Sequence, residues 1–144
     1  MKLRRIISGG QSGADITGLE CARELGLETG GTVPKGCRTE TGSNYDLVKV
    51  YGCKEHSEWQ YAPRTVQNVR DADATIWFGN TGSPGYWCTR NAANRYQKPF
   101  YYDTGDNLQH IADQFEVINV AGNRASTNPR VVELVREAFA VLKT

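Results

Sequence analysis

The chain has 144 residues, a length that fits one domain with a hydrophobic core of its own. Its 17 basic and 16 acidic side chains leave a formal charge of +1, which excludes a strong overall attraction to nucleic acid or to an anionic membrane. No apolar run reaches the roughly 20 residues of a transmembrane helix, and the first one meets Gly9 and Gly10 too early for a signal peptide. We therefore expect a single cytoplasmic domain over residues 1–144, with neither nucleic acid nor membrane as a partner.

Predicted strands and helices alternate along the chain. Apolar runs predict strands at residues 3–8, 28–33, 74–79, 99–103 and 116–120, and helical spacing predicts helices at 14–25, 63–72, 85–97, 107–115 and 129–142. The polar stretch 35–62 shows little periodicity and is expected to be a long excursion, with a short extra strand at 47–51. This order predicts a Rossmann-like three-layer α/β/α sandwich with a mainly parallel sheet of about five to six strands.

A glycine-rich turn with the sequence SGGQSG, residues 8–13, joins the first predicted strand to the first helix. The first N–H groups of a helix lack partners inside the helix, and the helix dipole adds about half a positive charge there. We therefore predict that a phosphate or another anion binds the amides of Gly10 to Gly13. Ser12 stands three residues before Asp15, so a capping-box-like arrangement is expected, in which Ser12 accepts a hydrogen bond from the Asp15 N–H. The sequence leaves open whether Asp15 contacts the ligand.

Ligands of open parallel sheets bind beyond the carboxyl ends of the strands. Four predicted loops lie at that edge, namely 9–13, 32–38, 80–85 and 122–124. They offer glycines, hydroxyl and amide groups and cations, a set that suits a phosphorylated heterocycle. The candidate cofactor-binding residues are Gly9, Gly10, Gln11, Ser12, Gly13, Asp15, Lys35, Asn80, Thr81, Gly82, Ser83, Gly85, Thr89 and Arg124. Tyr86 and Trp87 follow the third loop and are candidates to stack on a flat ring.

Several better-known motifs are incomplete. A dinucleotide fingerprint needs glycine where Ser8 stands and an acid after the second strand, and no Walker-type phosphate loop occurs. The turn also lacks the last glycine of a G-x-S-x-G nucleophile elbow, which makes a serine hydrolase a weak alternative. Cys37, Cys53 and His56 offer three zinc ligands but no fourth, so we interpret them as surface-loop residues. We predict no catalytic residue and no metal ligand.

Four motifs in order resemble the molybdenum carrier family. They are ISGGQSGAD at 7–15, GGTVPKG at 30–36, TVQNVRDADAT at 65–75 and NVAGNR at 119–124. The similarity covers residues 5 to 143, and the family lies in a Rossmann-like superfamily with lysine-decarboxylase-like proteins and cytokinin-activating phosphoribohydrolases. The resemblance implies that molybdenum cofactor, a pterin with a terminal phosphate, is bound as cargo, or otherwise a nucleotide or simple anion. It also implies a homo-oligomer, either a dimer or a tetramer.

The same resemblance bears on catalysis. The phosphoribohydrolases carry Pro-Gly-Gly-x-Gly-Thr followed by a catalytic glutamate, whereas residues 79–90 here contain neither a Gly-Gly pair nor a glutamate. Their reaction needs a carboxylate. The absence of that glutamate from residues 79–90 therefore favours a binding or carrier protein for a phosphorylated heterocycle over an enzyme. Two alternatives stay open: a nucleotide-derivative sensor or binding module, and a small nucleotide hydrolase with Asp15 or Asp71 as the base.

Overall fold

The computed structural model describes residues 1–58, 60–102 and 107–142. In chain order its elements are β1 (Arg5–Ile7), α1 (Ala14–Glu24), β2 (Glu28–Gly30), β3 (Thr32–Val33), β4 (Arg38–Thr39), β5 (Gly42–Ser43), α2 (Asp46–Lys49), β6 (Lys54–Glu55), α3 (Tyr61–Asp71), β7 (Ala74–Phe78), α4 (Pro84–Arg95), β8 (Phe100–Tyr102), α5 (Leu108–Ala112), β9 (Val117–Gly122) and α6 (Val131–Ala140). A short 3₁₀ helix, Lys35–Cys37, lies between β3 and β4.

The centre of the fold is a five-stranded sheet in the order β2-β1-β9-β7-β8, with every pair parallel. The connection from β1 through α1 steps outward to β2, and the connection from β7 through α4 steps outward in the opposite direction to β8. Because such crossovers are right-handed, α1 and α4 lie on opposite faces of the sheet. Helix α1 packs against α6 on one face, and α3 packs against α4 on the other. The predicted Rossmann-like sandwich with a parallel sheet is confirmed.

Continuous apolar runs form the buried strands of this sheet. All five residues of β7 are buried, as expected for a strand covered by helices on both faces. On one face, Ile118 and Val120 of β9 pack in the same core as Leu19 of α1 and Val135 of α6. Gly18 lets α1 approach closely, because a Cβ at that position would lie 2.8 Å from Val120.

Two of the sequence expectations about local structure are wrong. The second predicted strand, 28–33, divides at Gly31, whose φ of 124° and close contact with the Ser8 backbone turn the chain. As a result β2 stays in the central sheet, whereas β3 pairs with β6 in a separate two-stranded sheet. The expected strand at 47–51 is also absent, since Asp46–Lys49 form α2 and bury Leu47. The other predicted elements are present with ends within three residues of expectation, except that residue 103 lies outside the described residues.

The cysteines of the excursion are core residues, so their interpretation as surface-loop residues is wrong. Cys37 and Cys53 are buried in one cluster with Val33 and Leu47. Burial raises the pKa of Cys53 to about 12, which keeps that thiol protonated at neutral pH. In the described part of the chain, no group of three or more His, Cys, Asp or Glu side chains is placed to hold a metal ion. No helix there is long and apolar enough to span a membrane.

The side chain of Asn68 links α3 to β3 through two hydrogen bonds. Its Oδ1 accepts a hydrogen bond from the Thr32 N–H at 2.7 Å, and its Nδ2 donates to the Thr32 carbonyl at 2.9 Å. We expect Asn68→Ala to lower the free energy of unfolding by about 2–3 kcal/mol, because both hydrogen bonds of this buried side chain are lost. Urea unfolding measures this loss. The control Gln67→Ala removes only a surface bond to Asp71, so a similar change in both variants would contradict the prediction.

Candidate functional site

A cavity of about 470 Å³ lies at the carboxyl ends of the central strands. Its wall is built from the turn after β1, the loops after β7 and β9, and the first turns of α3 and α4. The connections from β1 and from β7 leave the sheet in opposite directions on either side of β9. The cavity therefore lies at a topological switch point, where open parallel sheets bind their ligands.

Three guanidinium groups surround the ring of Tyr61, the first residue of α3. The Cζ atoms of Arg124, Arg38 and Arg64 lie 4.5, 4.6 and 5.7 Å from its centroid. They come from the loop after β9, from β4 and from α3, so the fold brings together cations that are far apart in sequence. Tyr61, Arg64 and Arg124 line the cavity, together with a single acid among the described lining residues, Asp15. An excess of guanidinium groups beside a cavity favours an anionic ligand.

Asp15 and Arg64 form a buried ion pair in the cavity wall. Arg64 Nη1 lies 3.6 Å from Asp15 Oδ2, and their side chains are only 12% and 6% exposed. Burial raises the pKa of Asp15 above its ordinary value, although the neighbouring Arg64 and the N–H of Gln11 oppose that rise. Gly9 makes room for this arrangement, because a Cβ there would overlap the Arg64 guanidinium.

The carboxylate of Asp15 also accepts a hydrogen bond from one of the turn amides that were predicted to bind an external anion. The Gln11 N–H donates to Asp15 Oδ2 at 3.3 Å, and the Gly10 N–H donates to Ser8 Oγ at 3.2 Å. The prediction that the turn offers unpaired amides is therefore wrong for Gly10 and Gln11. Its physical reason is that Asp15, in the first turn of α1, folds back over the turn. Sequence spacing alone does not reveal this.

The predicted capping box is wrong as well. The N-cap of α1 is Gly13, which has no side chain to accept a hydrogen bond. Ser12 Oγ instead donates to a Glu40 carboxylate oxygen and accepts from the Ala125 N–H at 3.2 Å. The hydrogen bonds that Ser12 and Ser126 donate hold the pKa of Glu40 below its usual range. Ser12 thus connects the turn to neighbouring loops outside the cavity.

Asn123 joins the three loops that frame the cavity. Its Oδ1 accepts from the Asn80 N–H at 2.6 Å, and its backbone carbonyl accepts from the Ala14 N–H at 3.2 Å. Its own N–H donates to the Phe78 carbonyl at 3.1 Å. The start of α1, the end of β7 and the loop after β9 are therefore held by one buried residue, and Arg124 follows it directly.

A family model described as the circularly permutated YpsA SLOG family matches residues 6–142. The chain belongs to this family. The match agrees with the resemblance that the four sequence motifs predicted.

One solved structure closely resembles this SLOG-family protein in fold. A protein from Syntrophus aciditrophicus SB, named a "putative molybdenum carrier protein", is 30% identical with a TM-score of 0.88. The match covers 99% of this chain and 96% of that one. (E)-4-Hydroxy-3-methyl-but-2-enyl diphosphate reductase is 12% identical with a TM-score of 0.43, over 85% of this chain and 47% of that one. No curated protein matches.

The cavity of this SLOG-family protein contains some of the predicted site residues. Those on its wall are Gln11, Asp15, Ser83, Gly85, Thr89 and Arg124. The predicted residues that do not line it are Gly9, Gly10, Ser12, Gly13, Lys35, Asn80, Thr81 and Gly82. The turn glycines approach protein atoms instead, as shown by Gly10 against Leu47 and Gly13 against the Asn123 carbonyl. Lys35, Asn80, Thr81 and Gly82 are exposed.

Sequence reasoning missed seven polar or aromatic residues of the wall, namely Tyr61, Arg64, Thr65, Trp77, Cys88, Asn123 and Thr127. Apart from Asn123, none of them directly follows a strand or stands in a glycine-rich loop, which were the signals used. The expected ring contacts also differ. Tyr86 is buried against Trp77, with ring centroids 5.5 Å apart, and Trp87 is half exposed. Neither lines the cavity, where Tyr61 and Trp77 are the aromatic residues.

Proposed function

We propose that this protein binds and carries a phosphorylated heterocycle in the cavity beside Tyr61, with molybdenum cofactor as the candidate cargo. The observation that carries this proposal is the convergence of Arg38, Arg64 and Arg124 on one aromatic ring at the sheet's switch point. Guanidinium groups bind phosphate through charge-assisted hydrogen bonds, and an aromatic wall suits a flat ring. The name of the Syntrophus relative supports a molybdenum-containing cargo.

In this proposal Arg124 is the principal phosphate ligand. In the described part of the chain Arg124 has no ion-pair partner, whereas Arg64 is paired with Asp15. Ser83 and Gly85 stand at the start of α4, whose dipole adds to the positive potential of the wall. Each charge-assisted hydrogen bond contributes about 1.5–3 kcal/mol, so four or five contacts suffice for micromolar binding after the cost of association.

Calorimetric titration tests this function. We expect molybdenum cofactor or a nucleoside monophosphate to bind in the micromolar range, and Arg124→Gln to weaken that binding by about 10- to 100-fold. The control Arg130→Gln removes an exposed arginine from the same connection outside the cavity and should leave the affinity unchanged. Absence of binding below millimolar concentration, or equal affinities in both variants, would contradict the proposal.

A nucleotide sensor would use the same cavity but would prefer nucleotides to the pterin, which a thermal-shift panel of both ligand classes separates. A nucleotide hydrolase is the other alternative, and burial of Asp15 favours it because a raised pKa suits a general acid or base. Asp71 is not a candidate for this role, since it is exposed at the end of α3 and bonded to Gln67. A hydrolase predicts release of ribose 5-phosphate from nucleoside monophosphates, abolished in Asp15→Asn.

A homo-oligomer is part of the same proposal. Trp87 and Tyr102 are 50% and 57% exposed, and Tyr102 lies on β8, an edge strand of the central sheet. Large exposed aromatic side chains are typical of protein interfaces. Light scattering of the purified protein measures whether it forms the expected dimer or tetramer.

A further inference from the structure

Asp15 places a buried negative charge in the wall of the cavity to which the proposed function assigns an anion. Its side chain lines the cavity and is 6% exposed. Arg64 Nη1 lies 3.6 Å from its Oδ2, to which the Gln11 N–H also donates. Solvent screens charges at such buried positions far less than charges at the surface. An anion in the cavity therefore acts strongly on the Asp15 carboxylate.

This coupling acts through space and needs no contact between the anion and Asp15. Arg124 and Arg64 both act on the Asp15 carboxyl, and both line the cavity. Arg124 is partly exposed, with its Cζ 4.5 Å from the centroid of Tyr61, so an incoming anion can reach it. A dianion on Arg124 offsets that positive charge and makes the electrostatic potential at Asp15 more negative. A proton on the carboxyl removes the resulting repulsion.

The thiols near Asp15 do not exchange protons at neutral pH. Burial raises the pKa of Cys53 to about 12, and the charge of Asp15 adds to that rise. Burial also raises the pKa of Cys88, which lines the cavity. Both thiols stay protonated with or without an anion, because a nearby negative charge raises the pKa of a thiol further.

Charged groups on the elements that pack against α1 are either permanently charged or paired. The guanidinium of Arg5, from β1, lies against β2 and keeps its charge at every pH at which proteins fold. Glu28 of β2 pairs with Arg4, and Arg136 of α6 pairs with Glu20. The strand β9 has no ionisable side chain. None of these groups belongs to the described cavity wall.

We infer that an anion binds in this cavity together with a proton, and that Asp15 takes up the proton. The inference rests on the proposed function and concerns the regulation of the same site. In the free protein burial raises the pKa of Asp15 and the two arginines oppose the rise, whereas a bound anion offsets the arginines and raises this pKa further. The affinity should therefore increase as the pH falls below the pKa of Asp15 in the complex, and become constant below its pKa in the free protein. A rise in pH then favours release of the anion.

Isothermal titration calorimetry of sulfate binding over a range of pH tests the inference. Sulfate keeps two negative charges at every pH at which the protein folds, so any proton taken up belongs to the protein. Titrations in two buffers with different ionisation enthalpies give the number of protons taken up at each pH. We expect up to one proton per sulfate, and an affinity that rises at least about tenfold between the two pKa values of Asp15.

Two variants identify the group that takes up the proton. Asp15→Asn should abolish the uptake, because asparagine keeps an oxygen for the Gln11 N–H but has no carboxyl to protonate. Glu40→Gln is the matched control, since the Glu40 carboxylate also faces the charge of Arg124 but lies outside the described cavity wall. This variant should keep the wild-type uptake. If sulfate binds too weakly to titrate, the same comparison is made with adenosine 5′-monophosphate, and the difference between wild type and Asp15→Asn gives the uptake by Asp15.

Binding without proton uptake at any pH would overturn the inference, and so would uptake that persists in folded Asp15→Asn. Where Asp15→Asn does not fold, difference infrared spectroscopy of Glu40→Gln replaces it, because a newly protonated carboxyl shows a C=O band that a carboxylate lacks. Absence of that band on ligand binding would overturn the inference as well. If a ligand binds and depends on Arg124 without proton uptake, only this inference fails. If neither sulfate nor the nucleotide binds, the proposed function fails with it.

Discussion

Replacing Arg64 with methionine is expected to lower the free energy of unfolding by about 3–5 kcal/mol at neutral pH. The change removes the cation from a buried ion pair and leaves the carboxylate of Asp15 inside the protein. Methionine keeps an apolar side chain of similar length, so little of the loss would come from an empty cavity. Urea unfolding followed by circular dichroism measures the change.

The same variant should recover stability as the pH falls. Burial raises the pKa of Asp15 in the folded protein, and removing Arg64 raises it further because Arg64 is the main group that opposes the rise. A carboxyl with a higher pKa in the folded than in the unfolded state binds its proton more tightly when folded. Its destabilising effect is therefore full above the folded pKa and disappears as the pH falls towards the unfolded pKa. The difference between wild type and Arg64→Met should shrink as the pH falls from the folded pKa of Asp15 in the variant towards its lower folded pKa in the wild type.

The double variant Asp15→Asn with Arg64→Met provides the control. It removes both charges and keeps an oxygen that can accept from the Gln11 N–H, so it should be more stable at neutral pH than Arg64→Met alone. The stability of the double variant should also lack the pH dependence that Asp15 causes. A pH-independent loss in Arg64→Met, or no recovery in the double variant, would show that Asp15 is not the stranded charge.

Gly13→Ala should cost about 2–5 kcal/mol of stability or prevent folding. Gly13 has a φ of 84°, and a Cβ there would lie 2.5 Å from the Asn123 carbonyl oxygen and 2.7 Å from the Ala125 nitrogen. Both are backbone atoms, so the clash moves the loop after β9 and not a flexible side chain. The positive φ adds about 1–2 kcal/mol of its own, and overpacking adds about 1–3 kcal/mol.

Gly26 offers the matched control for this substitution. Its φ of 77° is nearly the same, but nothing lies within 4 Å of a Cβ built there. Gly26→Ala should therefore show the backbone strain alone, about 1–2 kcal/mol. Thermal unfolding of both variants distinguishes the cost of the positive φ from the cost of the steric clash. Equal losses would mean that the turn before α1 does not need its close approach to Asn123.

The sheet could be predicted from the sequence because its signals are local. The run ATIWF at Ala74–Phe78 has the composition of a strand buried on both faces, and glycines and polar residues mark its ends. The division of the second strand at Gly31 was not predictable in this way. It depends on contact with the Ser8 backbone, which becomes a neighbour only once β1 and β2 have paired.

The candidate site was harder to predict because its decisive contacts are long-range. The glycine-rich turn correctly marks the edge of the sheet where the cavity lies, but its Gln11 N–H is used by Asp15, which Arg64 of α3 holds in place. Tyr61 stands at the end of a polar excursion with no repeating pattern. Its importance appears only when β4 and the loop after β9 bring Arg38 and Arg124 to its ring. A pattern of fixed sequence spacing does not predict contacts between residues from such distant elements.

The strand that comes last along the chain stands in the middle of the sheet. β9 pairs with β1 on one side and with β7 on the other, and these two strands do not pair with each other. During synthesis on the ribosome, the β1–α1–β2 and β7–α4–β8 units therefore emerge with facing edges that stay open until residues 117–122 appear. Asn123 and Arg124 emerge directly after these residues. In a nascent chain the wall of the cavity therefore stays incomplete until β9 has closed the sheet.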